Sequence, residues 1–228
     1  MKQIEKKVEV YDGKRVSAVW RIPDAYNGES AVVLAHGAGN DMHSEFLSAM
    51  HEHWSDAGVM AIKFNFLYKE RGGRLPDRAD VLMDTWRAVV ESVTGHPDLA
   101  PRNLFYAGKS LGGRIASILA ADEAAPAGLI FLGYPLHRAG KPEKLRVSHL
   151  GRIESPMLFI QGTRDALCDL GILTRVLDGL GDEKNELYRV EGADHSFKVL
   201  KKLGRDPADV YSEIAERALD FIRARSRQ

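Results

Sequence analysis

The stretch Asn103-Leu104-Phe105-Tyr106-Ala107-Gly108-Lys109-Ser110-Leu111-Gly112-Gly113-Arg114-Ile115-Ala116 decides how the chain is read. Residues 104–107 are a short apolar run with the pattern of a buried strand. From Leu111 onward, Ile115, Ile118 and Leu119 recur at helical spacing among alanines, as on a helix packed against a sheet. Between the two lies Gly108-Lys109-Ser110-Leu111-Gly112. A strand that becomes a helix over so few residues forces its middle residue into a strained backbone, and only very small neighbours leave room for it. Gly108 and Gly112 supply that room. Ser110 then projects its hydroxyl from the turn, at the positive end of a helix, where developing negative charge is stabilised. Gly-x-Ser-x-Gly alone is a weak pattern; the strand-turn-helix setting makes it a nucleophile signal.

Outward from this stretch the chain alternates strand and helix. Residues 31–35, Ala-Val-Val-Leu-Ala, carry no polar side chain, as expected of a central strand covered on both faces. Upstream, residues 7–10 and 16–22 read as strands joined at Asp12-Gly13, a good hairpin signal. Phe46, Met50 and Trp54 mark a helix up to Gly58, residues 59–64 a strand, and residues 65–77 an irregular loop rich in Gly and charge. Val81, Leu82, Trp86, Val89 and Val90 mark a helix over 78–93 that ends near Gly95 and Pro97. Further strands are expected at 128–133, 157–162 and 186–190, with helices over about 169–180 and 208–222. The reading is an α/β fold: a mostly parallel twisted sheet with an N-terminal antiparallel hairpin and helices on both faces. Residues 134–154 are polar, contain Pro135, Gly140 and Pro142, and are too short for a separate cap domain; they read as a loop folded over the site.

The 228 residues suffice for one domain with a full core, so a single domain over 1–228 is expected. Lys plus Arg total 32 and Asp plus Glu 32, a balance that points to neither nucleic acid nor an anionic membrane as partner. A single cysteine, Cys168, rules out an internal disulfide and fits a reducing compartment. With no signal-peptide pattern over residues 1–9 and no run of transmembrane length, a soluble cytoplasmic protein is expected. The composition does not address oligomeric state.

Candidate chemistry gathers on loops that follow strands, which in an open parallel sheet share the carboxyl edge where ligands bind. The strand at 157–161 runs into Gly162-Thr163-Arg164-Asp165, and the strand ending at Val190 into Glu191-Gly192-Ala193-Asp194-His195-Ser196. A serine hydroxyl needs a base to remove its proton as it attacks, and His195 is the candidate. Asp165 is the preferred carboxylate to orient that imidazole, although Asp194 and Asp169 lie close enough to be considered. The order Ser, Asp, His, with gaps of about 55 and about 30 residues, is the one expected for successive loops of such a sheet. Oxyanion donors are expected at the Leu111 N–H and at Ala38 in His36-Gly37-Ala38-Gly39, with Gly39 second. The His36 side chain is expected to brace this loop. The pocket is expected from loops 40–43, 66–74 and 134–146, with Gly39, Asn40, Phe66, Tyr134 and His137 as its lining. Arg71, Arg74, Arg138 and Arg146 are candidates to favour an acidic acyl group, with surface solvation the expected reading for most of them. No cofactor or metal is implied: the elbow is not a phosphate-binding loop, and His51 and His53, two apart on a helix, diverge.

These residues together resemble the α/β-hydrolase superfamily over nearly the whole chain. The anchors are His36-Gly37-Ala38-Gly39, Gly108-Lys109-Ser110-Leu111-Gly112, Gly162-Thr163-Arg164-Asp165 and Asp194-His195-Ser196. Tyr134-Pro135-Leu136-His137, Lys144-Leu145-Arg146 and His149-Leu150 are similar to a small branch related to testis-expressed protein 30 and to a histone-acetyltransferase complex subunit, whose bacterial members resemble dienelactone hydrolases. The resemblance implies a Ser-His-Asp hydrolase fold with little or no lid, and it implies no substrate. From the residues themselves, a metal-independent serine hydrolase that forms an acyl-enzyme from a small ester or thioester is expected. A dienelactone hydrolase is expected to carry cysteine where this chain has Ser110. The alternative is a silent binding or scaffold protein on the same fold.

Overall fold

Asp12 and Gly13 adopt φ of 48° and 72°, the paired positive values that a two-residue hairpin turn needs, and join β1 (Lys2–Tyr11) to β2 (Lys14–Ile22). In this computed structural model, which describes residues 1–123, 125–181 and 184–226, strand and helix then alternate. The elements are β3 (Ser30–Ala35), α1 (Glu45–Asp56), β4 (Met60–Phe64), α2 (Leu67–Glu70), α3 (Ala79–Thr94), β5 (Asn103–Lys109), α4 (Leu111–Asp122) and β6 (Gly128–Leu132). They are followed by β7 (Met157–Gly162), α5 (Leu170–Leu180), β8 (Glu186–Val190) and α6 (Pro207–Ser226). The strands form one eight-stranded sheet in the order β1-β2-β4-β3-β5-β6-β7-β8. The pairs β1/β2 and β2/β4 are antiparallel, and all later neighbours are parallel. The expected fold class holds.

Both faces of the central strands are buried, which explains their unbroken apolar runs. Ala31, Val33 and Ala35 of β3 join one core with Trp86 and Val89 of α3 and Ile115 and Leu119 of α4. Val32 and Leu34 face the opposite core, with Leu47 and Trp54 of α1 and Ile214 and Phe221 of α6. Trp54 is fully buried and its indole N–H donates to Ala215 O at 3.2 Å, so α1 and α6 are locked together by packing and by a satisfied polar atom.

The structure extends or revises several element boundaries. β1 begins at Lys2, because the exposed charges of an edge strand hide its alternation. The segment expected to be irregular over 65–77 contains α2, held by Glu70, which accepts from Ser17 N at 3.0 Å and Asn65 Nδ2 at 3.0 Å. α6 runs on to Ser226 through a last turn whose Arg225 contacts Glu186 of β8. No helix among the described residues is long and apolar enough to cross a membrane.

Candidate active site

Ser110 sits between β5 and α4 with φ 50° and ψ −110°, the strained corner that the two flanking glycines imply. The steric reason is direct. A Cβ on Gly108 would lie 2.2 Å from Gly113 N, and one on Gly112 would lie 2.6 Å from Ala35 O, so neither position can carry a side chain without moving backbone. Ser110 N–H donates to Leu132 O at 3.1 Å, which ties the corner to β6.

The loops after β7 and β8 deliver the other two groups. His195 Nε2 lies 2.8 Å from Ser110 Oγ, and His195 Nδ1 lies 2.7 Å from Asp165 Oδ2. A carboxylate accepts, so the hydrogen belongs on Nδ1, leaving Nε2 to accept from the serine. Asp165 is buried, and its other oxygen accepts from Leu167 N at 2.7 Å. Gly162 makes the approach possible: a Cβ there would stand 2.4 Å from Ala193 O, in the loop that carries the histidine. The two competing carboxylates are engaged elsewhere. Asp169 caps α5 by accepting from Ile172 N at 2.8 Å, and Asp194 folds its own loop by accepting from Ser196 N at 2.8 Å and Lys198 N at 3.0 Å.

Two polar side chains that sequence reasoning left aside complete this arrangement. Gln161, fully buried, donates to Asp165 Oδ2 at 2.5 Å and accepts from Tyr134 N at 2.8 Å. Lys109, also buried, donates through Nζ to His195 O at 2.6 Å and lies 5.3 Å from the centroid of the Phe197 ring. Burial pushes the Lys109 ammonium down to about 8, with Asp165 and Asp194 pulling the other way.

On the other side of Ser110, Leu111 is the first residue of α4, so its N–H has no acceptor within that helix. The loop after β3 approaches closely: a Cβ on Gly37 would be 3.6 Å from Ser110 Cβ. His36 braces it from beneath, donating from Nδ1 to Gly37 O at 2.8 Å and accepting from Phe66 N through Nε2 at 3.2 Å. That pattern requires a neutral ring, and burial drives its pKa down to about 4. Tyr68 of α2, another residue given no role from sequence, donates its hydroxyl to Ala38 O at 3.0 Å.

A family model described as an alpha/beta hydrolase domain matches residues 28–223. The chain belongs to that family. Within curated proteins, an uncharacterized protein of Mycobacterium tuberculosis is 26% identical over 208 residues, spanning 83% of this chain and 71% of its own length. Among solved structures, a dienelactone hydrolase from Anabaena variabilis superposes with a TM-score of 0.73 at 20% identity, over 96% of both chains. An alpha-beta serine hydrolase homologue from Coxiella burnetii reaches 0.74 at 18% identity, over 95% of this chain and 98% of its own. At such identities the two structures establish a shared fold.

In this alpha/beta hydrolase domain a cavity of about 460 Å³ opens beside Ser110 and His195. Gly37, Ala38, Gly39 and Asn40 form one wall, Phe46 and Leu47 of α1 another, and Leu167 and Ser196 the far side. Of the residues expected in the pocket, Gly39 and Asn40 line this cavity. Phe66, Tyr134 and His137 do not line it, which corrects the expected pocket. Phe66 is fully buried against the His36 ring, at 5.0 Å between centroids. Tyr134 packs between Phe131 and Phe159 and donates its hydroxyl to Arg146 O at 2.8 Å. His137 is buried, accepting from Asp169 N at 3.0 Å and bonding Arg138 O at 2.9 Å. The segment over 134–154 is therefore a strap along α4 and the loop after β7, not a cover over the cavity. His51 turns inward to Val19 O and Ala61 O while His53 reaches Glu216, and Cys168 is buried with its thiol pKa raised by desolvation.

Proposed function

We propose that the protein is a serine hydrolase that cleaves a small ester or thioester through an acyl-enzyme. The reading is carried by one observation, the unbroken hydrogen-bond chain from Ser110 through His195 to Asp165 at the rim of the cavity. In this mechanism Ser110 Oγ attacks the acyl carbon while Nε2 of His195 takes its proton. The imidazolium that forms is stabilised by ionised Asp165, which Gln161 and Leu167 N–H hold in place. The Leu111 and Ala38 amides receive the oxyanion, a role that suits their positions on either side of the serine. His195 then returns the proton to the departing alcohol or thiol. Water, activated by the same ring, releases the acyl group. The names of the two similar structures, a dienelactone hydrolase and a serine hydrolase homologue, agree with acyl transfer as the reaction class.

The test is turnover of p-nitrophenyl butyrate by the wild type and by Ser110→Ala, with fluorophosphonate labelling in parallel. Loss of about 1,000-fold or more in kcat, and loss of the label, is expected from removing the nucleophile. Full turnover by the alanine variant would refute the mechanism. A wild type that neither turns over esters nor takes the label would instead be the silent scaffold.

A further inference from the structure

We propose that Arg114 and Arg146, with Arg138 at the rim, form a subsite for an oxyanion, a carboxylate or phosphate, carried by the substrate. This rests on the hydrolase reading and narrows its substrate class.

The position follows from the nucleophile helix. Arg114 N–H donates to Ser110 O at 3.0 Å, so Arg114 stands one turn, about 6 Å along the axis, past the serine. Helical side chains slant back toward the N-terminus, which lays the Arg114 side chain over the turn bearing Ser110 and Leu111. The strap brings Arg146 to the same place. Tyr134 hydroxyl donates to Arg146 O at 2.8 Å and Arg146 N donates to Leu136 O at 2.9 Å, while His149 meets Ser117 of α4 at 2.7 Å. His137 N–H donates to Leu167 O at 3.1 Å, so the strap also abuts the cavity wall.

What is unusual is the charge left over. Other half-buried arginines of this chain face carboxylates: Arg21 pairs with Glu52 and Asp56, Arg205 with Glu213, and Arg217 with Glu186. Among the described residues, none pairs with Arg114, Arg138 or Arg146. The charged groups that act on Arg146 are Arg114 and Arg138, and Asp122, which with Arg114 acts on His149, is engaged by Arg152 at 2.7 Å. Arg114 Nε is buried with no hydrogen-bond partner, and the single polar contact of the Arg146 guanidinium is a long one, 3.4 Å to Pro135 O. Burial and the neighbouring Arg114 and Arg138 charges lower the Arg146 pKa, so the group is held against its own repulsion. Neutral His149, depressed to about 4 by burial and then by Arg114 and Arg152, supplies no compensating anion. Partly desolvated guanidinium groups in want of an acceptor match the planar bidentate geometry of a carboxylate or phosphate.

The experiment compares kcat/KM for matched charged and neutral esters. One pair places the anion on the acyl side, p-nitrophenyl hydrogen glutarate against its methyl ester. The other places it on the leaving group, 4-carboxyphenyl acetate against its methyl ester. In one pair the wild type should favour the anion by about 10- to 100-fold, the range for a hydrogen bond to a charged group. Arg114→Gln and Arg146→Gln should each bring that ratio toward one, and Arg146→Lys should restore part of it. Arg146 lies on the strap, so its variants keep the test open if Arg114→Gln fails to fold. Neutral esters turned over with a ratio near one in both pairs would overturn the subsite and leave the hydrolase reading standing. Calorimetric binding of glutarate or inorganic phosphate to Ser110→Ala, lost on adding Arg146→Gln, would support the subsite even if no ester were hydrolysed.

Discussion

Lys109→Met tests the claim that a charged lysine is held beside Ser110 and His195 against the preference of its surroundings. Its ammonium is buried, reaches one carbonyl at 2.6 Å, and has its pKa lowered from 10.5 to about 8, chiefly by desolvation. At 1.36 kcal/mol per pH unit this disfavours the folded, charged form by about 3 kcal/mol. The sign follows from linkage. Below pH 8 the lysine is charged in both folded and unfolded chains, and the full penalty is present. Between pH 8 and 10.5 the folded chain gives up the proton first, the unfolded chain binds more protons, and stability rises with pH. Above 10.5 the penalty has vanished. Urea unfolding of wild type and Lys109→Met in parallel at pH 7, 8, 9 and 10 cancels every other titration. The wild type should gain on the variant by about 2 kcal/mol across that series. A difference that stays flat to within about 0.5 kcal/mol would refute the reasoning, since only the Lys109 proton distinguishes the two chains. Ester turnover should fall in the variant at every pH, because the His195 carbonyl loses its anchor.

Other substitutions read the remaining supports one at a time. Gly112→Ala should destabilise the chain by about 3 kcal/mol and abolish fluorophosphonate labelling, because its Cβ lands on the β3 backbone at Ala35; an unchanged melting temperature would contradict that collision. Tyr68→Phe removes the hydroxyl on Ala38 O, and kcat/KM for a neutral ester should fall about fivefold, the worth of one neutral hydrogen bond; an unchanged value would mean that the loop after β3 is held without it. Gln161→Leu leaves Tyr134 N–H buried without an acceptor and takes a donor from Asp165. It should lower stability by about 2 kcal/mol in urea titration, and a change under about 0.5 kcal/mol would show that water or a neighbour replaces the amide.

The meeting of Ser110, Asp165 and His195 was legible because each follows directly from a strand that sequence patterning marks. Ser110 leaves β5, Asp165 lies three residues past β7, and His195 five past β8, so parallel strand order alone brings their loops to one edge. The strap was not legible for an equally physical reason. Its charges and prolines resemble a solvated loop, yet Tyr134 and His137 are buried because their polar atoms find partners distant in sequence: Gln161 Oε1 for the first, Leu167 O and the Asp169 amide for the second. Local composition cannot anticipate a hydrogen bond that only tertiary packing creates.

Lys109 is an intermediate case. Strand parity places Phe105, Ala107 and Lys109 on one face of β5, and the first two enter the core that faces α1 and α6. A lysine in that register must either emerge at the strand end or find an acceptor inside. It takes the second course: it is buried, its ammonium 5.3 Å from the centroid of the buried Phe197 ring, which stacks on Phe46 at 5.2 Å. Gly133 closes the remaining side, since a Cβ there would stand 3.0 Å from Lys109 Nζ and 3.7 Å from His195 Cε1. The ammonium is therefore left with the carbonyl of the residue whose ring faces Ser110, so the packing that confines the lysine also fixes the histidine backbone.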